Sequence, residues 1–174
     1  MANTMTTYVK VGSLNEETHK KFVELFEKSG DQLSHFNTLY ETDLADIERE
    51  WMLENVGAKW INIECEDLEY SDTMELVLET AWTVPTEYLQ KIVEFIGGDV
   101  VVYGTYEDES YDPIGAFVYA VDYDDIEDYE EVEHDRIFED DDYLEEMYDG
   151  LYELRDSLYE GYREAMDERS IEEN

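Results

Sequence analysis

Between Asp142 and Asp167 eight acids recur at gaps of three or four residues: Asp142, Glu146, Asp149, Glu153, Asp156, Glu160, Glu164 and Asp167. On an α-helix that spacing stacks all eight carboxylates along one edge. The opposite edge carries Leu144, Met147, Leu151, Leu154, Leu158, Tyr162 and Ala165, so the segment must bury one side and leave the other in water. Each neighbouring pair of acids repels by about 0.2 to 0.5 kcal/mol, and the pattern therefore works against the helix that displays it. A role other than stability is expected. Carboxylates repeating at a helical pitch of about 5.4 Å make a rod of negative charge, as nucleic acid does.

The whole chain is acidic, with 49 Asp and Glu against 11 Lys and Arg and a net charge of -38, far from the magnitude of about 2 to 8 that suits a small soluble domain. Acid is concentrated late: residues 1–100 hold 21 acids and 7 bases, and residues 101–174 hold 28 and 4. Chains this acidic are commonly unfolded when they lack apolar surface, but 15 Tyr, 6 Phe and 3 Trp supply it. We expect one α+β domain over residues 1–121, with 122–174 an acidic segment and amphipathic helix packed on it or extending it. Salt adaptation would spread acids evenly, whereas here they cluster, and Lys and Arg are used about equally.

Cys65 is the only cysteine, which rules out an internal disulfide and a C-x-x-C pair and fits the cytosol. No basic, apolar leader opens the chain, and the longest apolar stretch, Ile114 to Val121, is too short for a bilayer. A cytoplasmic protein is expected. Charge of this sign disfavours membranes and nucleic acid as direct ligands and favours basic protein surfaces.

Alternation predicts strands over 6–11, 60–65 and 73–80, and two further strand-like runs cover 100–106 and 114–121. Ser13-Leu-Asn-Glu16 reads as a capping box opening a helix with Phe22, Val23, Leu25 and Phe26 on one face, closed near Gly30. A second helix is expected over 42–54, and a third opens at Pro85, carries Leu89, Ile92, Val93 and Ile96, and stops at Gly97-Gly98. The order βα(α)ββαββ followed by a long helix predicts a ferredoxin-like antiparallel sheet with helices on one face.

Three segments carry a resemblance: Asn55-Val-Gly-Ala-Lys-Trp60, Glu79-Thr-Ala-Trp-Thr-Val-Pro85, and Tyr103-Gly-Thr-Tyr-Glu-Asp-Glu109 leading to Gly115. In order and spacing, residues 1–120 resemble the phage- and plasmid-borne YubB-type ferredoxin-like domain family, which shows N-W-G-T-K-W, T-A-W-x-P-P and Y-x-E-x elements. Val56 stands where that family tends to have Trp, and Val84 precedes a single Pro85. The resemblance implies the fold and a mobile-element origin. It implies no activity.

Catalytic residues, metal and cofactor are not expected. His19, His35 and His134 lack metal-ligand spacing, no Gly-rich phosphate loop or nucleophile elbow occurs, and Cys65 reads as a strand residue facing the core. Asp122-Tyr-Asp-Asp-Ile-Glu-Asp128 lacks the glycine and glutamate of a calcium loop. Trp60 and Trp82 read as core residues, with a base-stacking platform as the sharper alternative. The candidate partner-binding residues are the eight acids of the helical stripe and a second array, Asp122, Asp124, Asp125, Glu127, Asp128, Glu130 and Glu131, extended by Glu64, Glu66, Glu75 and Glu79. Carboxylates in a phosphate-binding cleft meet Lys and Arg much as phosphates do. The function expected is therefore DNA imitation by a phage or mobile-element protein. It would block a host restriction enzyme, CRISPR effector, nuclease or nucleoid protein, as an anti-restriction or anti-CRISPR inhibitor. An acidic adaptor or chaperone that binds a basic partner without displacing DNA is the alternative. A homodimer is also considered, with Tyr148, Tyr152, Tyr159 and Tyr162 burying rings against the core or a second copy.

Overall fold

In a computed structural model describing residues 3–172, the five expected strands and a sixth form one sheet. Its strands are β1 (Thr4–Gly12), β2 (Ile61–Glu64), β3 (Met74–Ala81), β4 (Val101–Asp108), β5 (Ile114–Ala120) and β6 (Tyr123–Asp128). They lie in the order β2-β3-β1-β4-β5-β6, with every neighbouring pair antiparallel. Because β3 is antiparallel to both β1 and β2, those two run parallel with β3 between them, the split βαβ arrangement of a ferredoxin-like fold. Strand β6 continues the sheet past residue 121.

One face is covered by α1 (Glu16–Phe26), α2 (Gln32–Tyr40), α3 (Arg49–Asn55) and α4 (Thr86–Ile96). Val9 and Val11 of β1, Leu76 and Leu78 of β3, and Phe117 and Tyr119 of β5 join Phe22, Leu25, Ile92 and Val93 in the main core. The capping box at α1 is real but shifted. Asn15 is its first member and Thr18 the second: the Thr18 amide donates to Asn15 Oδ1 at 2.9 Å and the Asn15 amide to Thr18 Oγ1 at 2.8 Å. Helix α2 was not expected, and the expected helix over 42–54 shrinks to α3. The signal for α2 is Asp31, whose carboxylate accepts from the Ser34 amide as an N-cap, with Phe36 and Leu39 buried.

His35 of α2 is fully buried. Its Nδ1 lies 3.0 Å from the Leu25 carbonyl, which can only accept, so Nδ1 carries the proton and Nε2 accepts from the Tyr88 hydroxyl at 2.8 Å. Burial pushes the ring's pKa down from 6.5 to about 4. A folded-state value below the unfolded one gives stability that is present above pH 6.5 and lost as pH falls toward 4, amounting to about 3 kcal/mol. Acid also relieves carboxylate repulsion, so total stability mixes opposing effects. The ring itself is the clean reporter: its NMR titration is expected to have a midpoint near pH 4, and a midpoint near 6.5 would contradict its burial.

The opposite face carries α6 (Asp141–Glu172), 32 residues long, preceded by the short α5 (His134–Ile137). Helix α6 lies across β4, β5 and β6. It buries Tyr143 together with four residues of its apolar edge, Met147, Leu151, Leu158 and Tyr162. Burial of five such side chains contributes on the order of 10 kcal/mol, against roughly 2 to 3 kcal/mol of repulsion along the stripe. Docking, not intrinsic propensity, holds this helix.

Candidate functional site

The start of α6 is fixed by the one base between residues 122 and 149. Arg136 reaches Glu133 at 3.2 Å and Asp140 at 3.1 Å, and lies 4.5 Å from the centre of the Tyr143 ring. Hydrogen bonding to Arg136 holds the Asp140 carboxyl below its ordinary range. That carboxylate also accepts from the Tyr143 amide at 3.2 Å, capping the first turn. At the far end, Arg169 donates to the Asp122 carbonyl at 2.9 Å. Both ends of α6 are thus tied to the segment it follows.

Along the flank of α6 runs β6, in the opposite direction. The Tyr129 hydroxyl lies where a side chain on Gly150 would be, and the Tyr123 hydroxyl is 3.5 Å from the position a Cβ on Gly161 would take. A glycine inside a helix costs about 1 kcal/mol relative to alanine. At Gly150 the close approach of the Tyr129 ring accounts for that cost.

All eight acids of the helical stripe are exposed. Among the described residues, Asp156 is the only one of the eight in an ion pair, with Arg155 at 3.1 Å. The second array does not form a single row. Strand alternation splits it: the Asp125 and Glu127 positions share the α6 face with Tyr123, whereas Asp128 reaches the other face and accepts from the Tyr106 hydroxyl. Asp124 alternates with Asp128 on that other face, and Asp122 occupies the β5–β6 turn with φ of 57°, a conformation Asp tolerates. Beyond the strand, Glu130 and Glu131 line a notch of about 590 Å³ together with Glu127, Asp128 and Leu154 of α6. Of the seven, all are exposed except Asp125, which is half-buried.

Glu75 and Glu79 of β3 and Glu64 of β2 alternate with core residues and lie on the α6 side of the sheet, exposed. Glu66 follows the end of β2 and lines an open groove with Glu64, Asp67 and Glu69. Sequence reasoning missed Glu107. It stands on the same face and accepts from the Tyr148 hydroxyl at 2.5 Å; burial, reinforced by the Glu107 carboxylate, pushes the Tyr8 hydroxyl up to about 12. The tyrosines of α6 behave unequally: Tyr162 is buried, Tyr148 and Tyr159 are half-buried, and Tyr152 is exposed.

Trp60 and Trp82 are not core residues. They are 37% and 51% exposed, because Trp60 lies just before β2 and Trp82 leaves β3 with φ of 65°, which breaks the strand alternation that would have turned it inward. Lys59 Nζ sits 4.1 Å over the Trp82 ring, and Thr83 Oγ1 donates to the Gly57 carbonyl at 2.9 Å, so two of the quoted sequence segments meet at one end of the sheet. Cys65 follows β2 and is half-buried, and burial pushes its thiol up, away from the thiolate that nucleophilic chemistry needs.

Among the described residues, no group of three or more His, Cys, Asp or Glu is placed to hold a metal ion, and no helix is long and apolar enough to cross a membrane. No protein-family model, curated protein or solved structure matches this chain.

Proposed function

We propose that this chain is a DNA mimic from a phage or mobile element, which inhibits a host defence or DNA-processing protein by occupying its DNA-binding cleft. One observation carries it: eight exposed carboxylates along one edge of an ordered helix whose opposite edge is docked on a sheet. A tail kept acidic for solubility needs no docked apolar edge. A rigid array, by contrast, reaches its target without the cost of ordering a flexible polyanion. The stripe spans about 38 Å from Asp142 to Asp167, one charge per about 5 Å, compared with one phosphate per about 3.4 Å of axis on a single DNA strand. It therefore stands for one phosphate row, to which the acids of β6 and of the segment after it add.

The partner is a basic DNA-binding protein such as a restriction enzyme, CRISPR effector, nuclease or nucleoid protein. Immobilised chain, exposed to host lysate, is expected to retain such a protein at low salt and release it to added duplex DNA. Retention that duplex does not reverse would favour an acidic adaptor instead. Each carboxylate that replaces a phosphate contact should add to the salt dependence, because the partner's bases exchange counterions on either ligand.

A further inference from the structure

Six strands at a spacing of about 4.8 Å present a face roughly 24 Å wide, enough for two helices each about 10 Å across. One face of this sheet carries α1 and α4 in mutual contact, whereas the other carries α6 over β4, β5 and β6. Among the described residues, no helix lies over the strip formed by β1, β3 and β2 on the α6 side. Tyr8 stands in the middle of β1, with a strand on each side, and is nonetheless 45% exposed. Val77, its register partner on β3, is half-buried. Between this strip and α6 runs a groove of about 370 Å³, floored by Tyr8, Val77 and Thr105 and walled by Tyr148, Tyr152 and Arg155.

Acids surround Tyr8 and Val77: Glu75 and Glu79 flank Val77 along β3, Glu64 is its register partner on β2, and Glu107 on β4 stands across Thr6 from Glu79. Of the nearby bases, Lys10 lies 3.6 Å from Glu75, and Arg155 is engaged by Asp156 at 3.1 Å and lies over the Tyr152 ring. We propose that the strip is a docking site for one amphipathic helix of a partner protein, which sets apolar side chains on Tyr8 and Val77 and basic side chains on the glutamates around them. Width selects a single helix, laid beside α6 as α1 lies beside α4. Charge selects a basic one. A second copy of this chain is disfavoured, since each carries a net charge of -38 and would bring like charge to an acidic margin. Salt-screened attraction at the rim and burial of Tyr8 and Val77 at the centre follow the ordinary anatomy of a helix-in-groove interface. The site is separate from the acidic edge of α6 and does not depend on DNA imitation.

The test uses the isotope-labelled full chain and a synthetic helical peptide of about 18 residues, five turns, with Leu and Trp on one edge and Lys and Arg on the flanks. A peptide of the same composition, scrambled to break the apolar edge, is the control. Amide shifts are expected to cluster at Tyr8, Val77, Thr105 and Tyr152, and the scrambled peptide should bind at least about tenfold more weakly, the loss of one interface hot spot. Val77→Asp should weaken the first peptide similarly, with the mapping on the natural chain deciding should that variant misfold. Shifts confined to the acidic edge of α6 or to β6, or equal binding of the scrambled peptide, would overturn the proposal. So would concentration-dependent broadening at the same residues without peptide, which would assign the strip to a second copy.

Discussion

Replacing Asp149, Glu153, Glu160 and Glu164 by their amides (D149N/E153Q/E160Q/E164Q) is expected to stabilise the protein and abolish partner binding together. These four participate in six of the seven neighbouring like-charge pairs of the stripe. Removing them relieves about 1 to 2 kcal/mol of repulsion, and the melting temperature should rise by several degrees. If each carboxylate makes one charge-assisted contact worth about 1 kcal/mol, the partner's dissociation constant rises about a thousandfold. The opposite signs matter, because a substitution that merely damaged the fold would lower both quantities. Thermal melts and titration of the captured partner read the two effects separately. A stabilised variant that still binds would remove the stripe from the interface.

Leu151→Asp is expected to detach α6 while leaving the main core folded. Leu151 is 1% exposed beneath the helix, and an unpaired carboxylate there costs several kcal/mol. Without docking, a helix bearing a row of like charges is unstable in water, so circular dichroism should lose the contribution of α6, 32 residues. The core of α1, α4 and β1–β4 is built from other residues and should retain a cooperative transition. Partner affinity should fall at least about a hundredfold, since the same charges would then have to be ordered on binding. Leu151→Ala, which removes about 2 to 5 kcal/mol of packing, should give a smaller loss in the same direction. Full binding by the detached chain would mean that a flexible polyanion suffices.

The stripe was legible because helical periodicity is a local signal, and both edges of α6 carried it over many turns. The ferredoxin-like sheet was legible too, since alternation or an apolar run marked five of the six strands and the split βαβ arrangement follows from their succession with the helices. Strand β6 was hidden: Tyr123-Asp-Asp-Ile-Glu-Asp128 shows no apolar alternation, and its place is set by pairing with β5 and by Tyr123 and Tyr129 against α6. A reading of that segment by charge alone grouped acids that the pleat sends to opposite faces. Trp60 and Trp82 were misjudged for a related reason. Large aromatics suggest burial, but a positive φ at Trp82 is a backbone property that no residue count discloses. Glu107 was lost among 49 acids and gains meaning only through Tyr8 and Tyr148, which approach it from β1 and α6.

Competition measures the central claim most directly. With labelled duplex DNA pre-bound to the captured partner, added chain should displace the duplex completely, and the midpoint should rise in proportion to the duplex concentration. A ternary complex, in which duplex and chain occupy the partner together at saturating concentrations of both, would contradict DNA imitation.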